Sequence, residues 1–144
     1  MMREPTTAAQ ALRWHNKALS DKALHLPIEV DFEAPQVGWF VTRACRGGPW
    51  VPARLWIEQE LCPDTGELLS DEVMRCEING KLRDPYEAWI WLCSEPIDQA
   101  RYAYLIARKD YAEAWAPSEP AANAFVKVDW LKVPTPSFTK EPTP

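Results

Sequence analysis

The sequence predicts one α+β domain, a twisted and mostly antiparallel sheet of four or five strands with one long and two shorter helices. Three features of the chain lead there. Residues 37–58 alternate in polarity on either side of Arg46-Gly47-Gly48-Pro49, as two strands joined by a tight turn do. Asn79-Gly80, the dipeptide best suited to a two-residue hairpin loop, follows a second alternating run at 73–78. Residues 97–115 then repeat apolar side chains at helical spacing and stop before Pro117.

Composition narrows the class. A chain of 144 residues with 47% apolar and 26% charged side chains is one ordinary globular domain with room for a core. Eight tryptophans suit either a dense core or a recognition surface, because each brings a large apolar area and one N–H that needs an acceptor. Fourteen prolines against five glycines favour short strands and fixed turns. A net charge of −5 argues against bulk attraction to nucleic acid or an anionic membrane. No apolar run approaches the roughly 20 residues of a membrane span, and MMREPTTAAQ lacks the apolar stretch of a secretory signal, so a cytoplasmic protein is expected. Cys45, Cys62, Cys76 and Cys93 stand too far apart for the paired spacing of zinc ribbons. They read as buried, reduced thiols; a disulfide or a metal site assembled by the fold stays open as the alternative.

The elements follow in order. Residues 1–7 offer little to bury and are expected to be flexible. Ala8, Ala11, Leu12, His15, Ala18 and Leu19 fall on one helical stripe, with Thr7 as its N-cap, Ser20-Asp21 as an interruption and Pro27 as the stop. Residues 31–36 form a linker. In the second strand of the central hairpin Val51, Ala53, Leu55 and Ile57 make a core face, while Trp50, Pro52, Arg54, Trp56 and Glu58 point the other way. In the first strand Val37, Trp39 and Val41 alternate with Gly38, Phe40 and Thr42. Pro52 has no N–H to give a ladder, so an edge or a bulge is expected there.

Residues 62–67 form a surface turn, and 68–72 are expected to cross back over the sheet. Met74, Cys76 and Ile78 give a half-buried strand. Asp84 caps the next helix, with Pro85 at its first position and Glu87 where a capping-box acid sits. Ala88–Cys93 is apolar on all sides and reads as a short buried helix, with a central strand as its rival. The long helix opens at Ser94-Glu95-Pro96 and carries the stripe Ile97, Ala100, Tyr104, Ala107, Tyr111 and Ala114. Residues 116–123 are a loop and Ala124–Trp130 an edge strand. The domain is thus expected to span 8–131, before a proline-rich tail at 132–144.

No catalytic residue, cofactor or metal site is predicted. Gly47-Gly48 precedes a proline, which lacks the N–H a phosphate cradle uses, and neither G-x-S-x-G nor H-E-x-x-H occurs. His15 and His25 are about 80° out of phase on an ideal helix, so they make no paired site by themselves. The stronger case is a binding surface. Trp50, Arg54 and Trp56 share the outward row of the hairpin, with Phe40, Arg43 and Arg46 placed near them. Tryptophan and arginine anchors dominate protein–protein hot spots and also stack on single-stranded bases. The competing reading is that a helix covers this face, with the tryptophans as core and the arginines paired to local acids such as Glu58.

The pieces GWFVTR, RGGPWVPARLW, DTGEL, EPIDQARYAYLIA and PAAN…VDWLKVPTPSF, from Gly38 to Phe138, resemble a group of small bacteriophage and prophage proteins. The resemblance carries no catalytic motif. It implies work in the host bacterial cytoplasm on a host or phage protein complex, away from membranes, and blocking host defence, including CRISPR effector complexes, is one such role. The leading expectation is therefore a non-enzymatic accessory protein that inhibits or modulates a host macromolecular complex. The alternative is a small nucleic-acid binder using the Trp/Arg face, and a hydrolase pairing a histidine with a cysteine or acid is the third class.

Overall fold

In the computed structural model, which describes residues 3–43, 45–118 and 122, five strands form one antiparallel sheet. The strands are β1 (Gly38–Arg43), β2 (Trp50–Glu58), β3 (Val73–Ile78), β4 (Lys81–Arg83) and β5 (Pro96–Ile97), in the spatial order β4-β3-β2-β1-β5. Four helices accompany them: α1 (Ala8–Ala11), α2 (Arg13–Ala23), α3 (Pro85–Leu92) and α4 (Gln99–Trp115). The α+β class, with a long helix beside shorter ones, is as the sequence predicts.

Directly opposed residues of an antiparallel pair share a face. One face of the sheet thus holds Phe40, Ala53, Leu55 and Cys76. α3 closes over it with Ala88, Trp89 and Leu92, and α2 adds Trp14. The aromatic centre is tightly knit: Trp14 and Phe40 ring centroids lie 6.2 Å apart, Trp14 and Trp89 5.0 Å, Phe40 and Trp89 5.7 Å. The indole N–H groups find acceptors on residues 26–36, Trp14 donating to the Glu29 carbonyl at 2.7 Å and Trp89 to that of Asp31 at 2.8 Å. These two bonds, with Val30 packed against the core, strap the connection between α2 and β1 in place. The other face of the sheet is covered along its middle by α4.

Local chemistry explains the turns and caps. Asn79 and Gly80 both take positive φ, 54° and 82°, as a primed two-residue hairpin requires. Gly66, at φ 73°, closes the turn at 62–67, donating to the Cys62 carbonyl at 2.8 Å. The Asp84 carboxylate receives the Tyr86 and Glu87 N–H groups, so α3 forms instead of the rival strand. Thr7 and Gln10 make a reciprocal capping box at α1.

Several expectations need correction. Pro52 lies in a central strand with no bulge. It is tolerated because its ring nitrogen points to the β3 side at the last rung, where the chain turns off at Asn79 and needs only the Pro52 carbonyl. Residues 68–72 do not cross the sheet; Leu61 bridges Leu68 and prolongs the β2–β3 hairpin. Residues 3–7 are held against that arm, Thr6 Oγ1 donating to Glu72 at 2.8 Å and the Leu68 N–H to the Arg3 carbonyl at 3.0 Å. The N-terminal helix breaks at Leu12 and runs unbroken through Ser20-Asp21.

α3 is buried on one side only, leaving Tyr86, Ile90 and Trp91 exposed. α4 starts after Ile97, which instead adds β5 to the sheet edge, and Asp98 caps it. The stripe expected to be its core face is turned outward: Ala100, Ala107, Tyr111 and Ala114 are exposed while Leu105 and Ala112 are buried. Arg108 and Lys109 beside them are half-buried on the inward side, which a count of apolar residues does not register. The edge strand expected at 124–130 and the tail at 132–144 lie outside the described residues.

Candidate interaction site

The face of the hairpin that α4 covers along its middle, as the competing expectation had it in part, carries two arginine–tryptophan pairs. Arg43 and Trp50 are directly opposed across β1 and β2, with the guanidinium carbon 4.5 Å from the ring centroid. Arg54 and Trp56 are neighbours on the same face of β2, at 4.2 Å. Both are within cation–π range. From Trp50 to Trp56 the strand runs on the order of 20 Å, so the pairs are separate sites.

Their surroundings differ. Arg54 is tied into the fold: Glu77 of β3 lies 3.5 Å from its Nη2, and Trp39 of β1 stands opposite it. Tyr102 of α4 lies near, where burial pushes its phenol pKa up against a smaller opposing effect of Arg54. Trp39, Arg54 and Trp56 line a cleft of about 300 Å³ that α1 walls with Ala8 and Ala11. Arg43, by contrast, is exposed at the strand end, Trp50 keeps 43% of its surface, and Arg46 stands exposed on the turn beyond. Between this end and α4 opens a cleft of about 440 Å³, lined among others by Val41, Trp50, Ile97, Arg101, Leu105 and Arg108.

Comparison with protein-family models, curated proteins and solved structures gives no significant match. The site is therefore read from its own chemistry.

Four of the six predicted residues, Arg43, Trp50, Arg54 and Trp56, share one face, and Arg46 adjoins it at the turn. Phe40 does not belong with them. It opposes Ala53 on the other face and is fully buried. The register pairs even-numbered residues of β1 with odd-numbered residues of β2, which sends Phe40 into the core and brings Trp39 and Val41 to the outward side. The expected pairing of an arginine with Glu58 is made by Arg75, and Arg54 uses Glu77. Sequence reasoning missed Arg101 and Arg108. Seven residues apart on α4, they line the same cleft, and that i, i+7 spacing was the available signal.

The titratable groups named in the sequence lie elsewhere. His15 is fully buried between α2 and the sheet, its Nε2 at 2.8 Å from the Ile97 carbonyl. Nε2 therefore carries the proton, while Nδ1, without a partner, faces Gly38. Burial holds its pKa below the ordinary histidine value, against the smaller raising effects of the Ile97 bond and Asp98. His25 is exposed, at φ 55°. None of the four cysteines forms a disulfide among the described residues; Cys76 and Cys93 are buried, and burial pushes the Cys76 thiol up to about 11. Cys45 and Cys62 are half-buried, contrary to the expectation of four buried thiols. Among the described residues no helix is long and apolar enough to cross a membrane.

Proposed function

We propose that this is a non-enzymatic binding protein of the bacteriophage accessory type, which works in the bacterial cytoplasm by occupying a surface of a host macromolecular complex and inhibiting or modulating it. The observation that carries the reading is the Arg43–Trp50 pair: a half-exposed indole held under a guanidinium at the end of a hairpin, with Arg46 on the adjoining turn. Such a side chain is pre-organised, so little rotamer freedom is lost when a partner covers it. The sequence resemblance to small phage proteins supplies the cellular setting. A host defence assembly, CRISPR effectors included, is one such target. The burial of His15 against Trp39 and Phe40 fits a structural histidine better than a proton-transfer group.

Affinity isolation from bacterial lysate, repeated across salt concentrations, tests this. A stoichiometric protein partner that is lost with Arg43→Ala and Trp50→Ala is expected. Absence of any stoichiometric partner, or one that both variants retain, contradicts it.

A further inference from the structure

We propose that the cleft between the β1–β2 hairpin and α4 receives an acidic peptide segment of the partner, with one apolar side chain on its floor and flanking carboxylates on its arginines. This rests on the binding role above and specifies the chemistry of what is bound.

The floor is apolar: Val41 and Ile97 from the sheet, Leu105 from α4, and Trp50 at one side. A volume of about 440 Å³ holds one or two side chains. The rim is basic. Arg101 and Arg108 line it from α4, Arg43 stacks on Trp50, and Arg46 stands two residues before Gly48, which also lines the cleft. Four arginines gathered at one place in a protein of net charge −5 make a local field opposite to that of the whole. The ion pairs among the described residues use Arg3, Lys17, Lys22, Arg54, Arg75 and Lys109, and none of these four. Nε of Arg108, like that of Arg54, is buried and has no acceptor among the described residues. The acid that lines the cleft, Glu95, already has Lys22 at 3.8 Å.

A guanidinium N–H withdrawn from water without an acceptor is costly, and a carboxylate meets the guanidinium fork with two charge-assisted bonds. That makes an aspartate or glutamate of the partner the fitting ligand, and the apolar floor calls for a hydrophobic neighbour beside it. A nucleic acid fits less well. Arg43 covers one face of Trp50 and Arg54 one face of Trp56, which halves each ring as a base-stacking platform. Phosphates gain nothing from Val41, Ile97 and Leu105.

The test uses the full chain labelled with nitrogen-15 and a peptide bearing one phenylalanine between two pairs of aspartates. A second peptide has lysines for the aspartates, and oligothymidylate is the third probe. The acidic peptide is expected to shift the Trp50 indole and the amides of Val41, Ile97 and Leu105, and the lysine peptide to leave them unmoved. Arg101→Glu with Arg108→Glu should weaken the acidic peptide at least about tenfold. Should that double variant fail to fold, Arg101→Gln alone, at an exposed position, should weaken it measurably. The proposal is overturned if the acidic peptide moves none of these signals at millimolar concentration, if both peptides bind alike, or if oligothymidylate takes the cleft instead. If the acidic peptide fails while Trp50→Ala still abolishes capture of the host partner, the cleft assignment falls and the binding role stands. If capture is absent as well, both fall.

Discussion

The two faces of the β1–β2 hairpin use the same kinds of residue to opposite ends. On one face Phe40 meets Trp14, Trp89 and His15, ring against ring, and all but the half-buried Trp14 are fully buried. On the other, each tryptophan of β2 meets an arginine, and Trp50 keeps nearly half its surface. What separates core from surface is the neighbour, not the aromatic side chain. A ring packed on rings loses its water on folding, whereas a ring packed on a guanidinium stays partly wet and available. The stability of the protein should therefore reside on the α2–α3 side, and the α4 end of the hairpin should be nearly free to change.

The largest test of that contrast is Trp89→Ala. Loss of a fully buried indole, together with its bond to the Asp31 carbonyl, should cost about 3–5 kcal/mol in urea unfolding. A loss below about 1 kcal/mol would mean that the core is not organised around this ring.

Gly38→Ala comes next. A Cβ there would lie 2.2 Å from His15 Nδ1, so α2 must back away from β1, at a cost of about 1–3 kcal/mol. Combined with His15→Ala, the two changes should cost less than their sum, because the second removes what the first collides with.

A pH titration of stability sharpens the same contact. The folded-state pKa of His15 is lowered, chiefly by burial. The unfolded chain therefore takes up a proton as pH falls through about 6.5, while the folded protein does not. Stability is complete above that value and should decline below it, by at most about 1.4 kcal/mol per pH unit. His15→Gln should remove this dependence, and an unchanged slope in that variant would assign it to other groups.

Most of the fold was legible because its signals are local. Asn79-Gly80, the Asp84-Pro85 start and the alternation of β3 each fix their element within a few residues. The site was legible only by halves. Trp50, Arg54 and Trp56 could be placed on one row, but Phe40 and Arg43, three residues apart, lie on opposite faces of β1, and only the hairpin's register decides which of them joins that row. The inward face of α4 was hidden for another reason. It includes the half-buried Arg108 and Lys109, and its exposed face is rich in alanine, so apolar spacing pointed the wrong way. Arg101 and Arg108 went unseen with it.

The smallest expected effect on folding is that of Arg43→Ala. An exposed cation–π pair contributes about 0.5–1 kcal/mol, so the unfolding midpoint should hardly move.

The most direct measurement is made on Trp50→Ala, comparing its unfolding free energy and its capture of the host complex with those of the unaltered protein. The expected result is a stability change of no more than about 1 kcal/mol together with loss of the partner. A variant that binds as before, or one that loses several kcal/mol of stability as Trp89→Ala should, would contradict it.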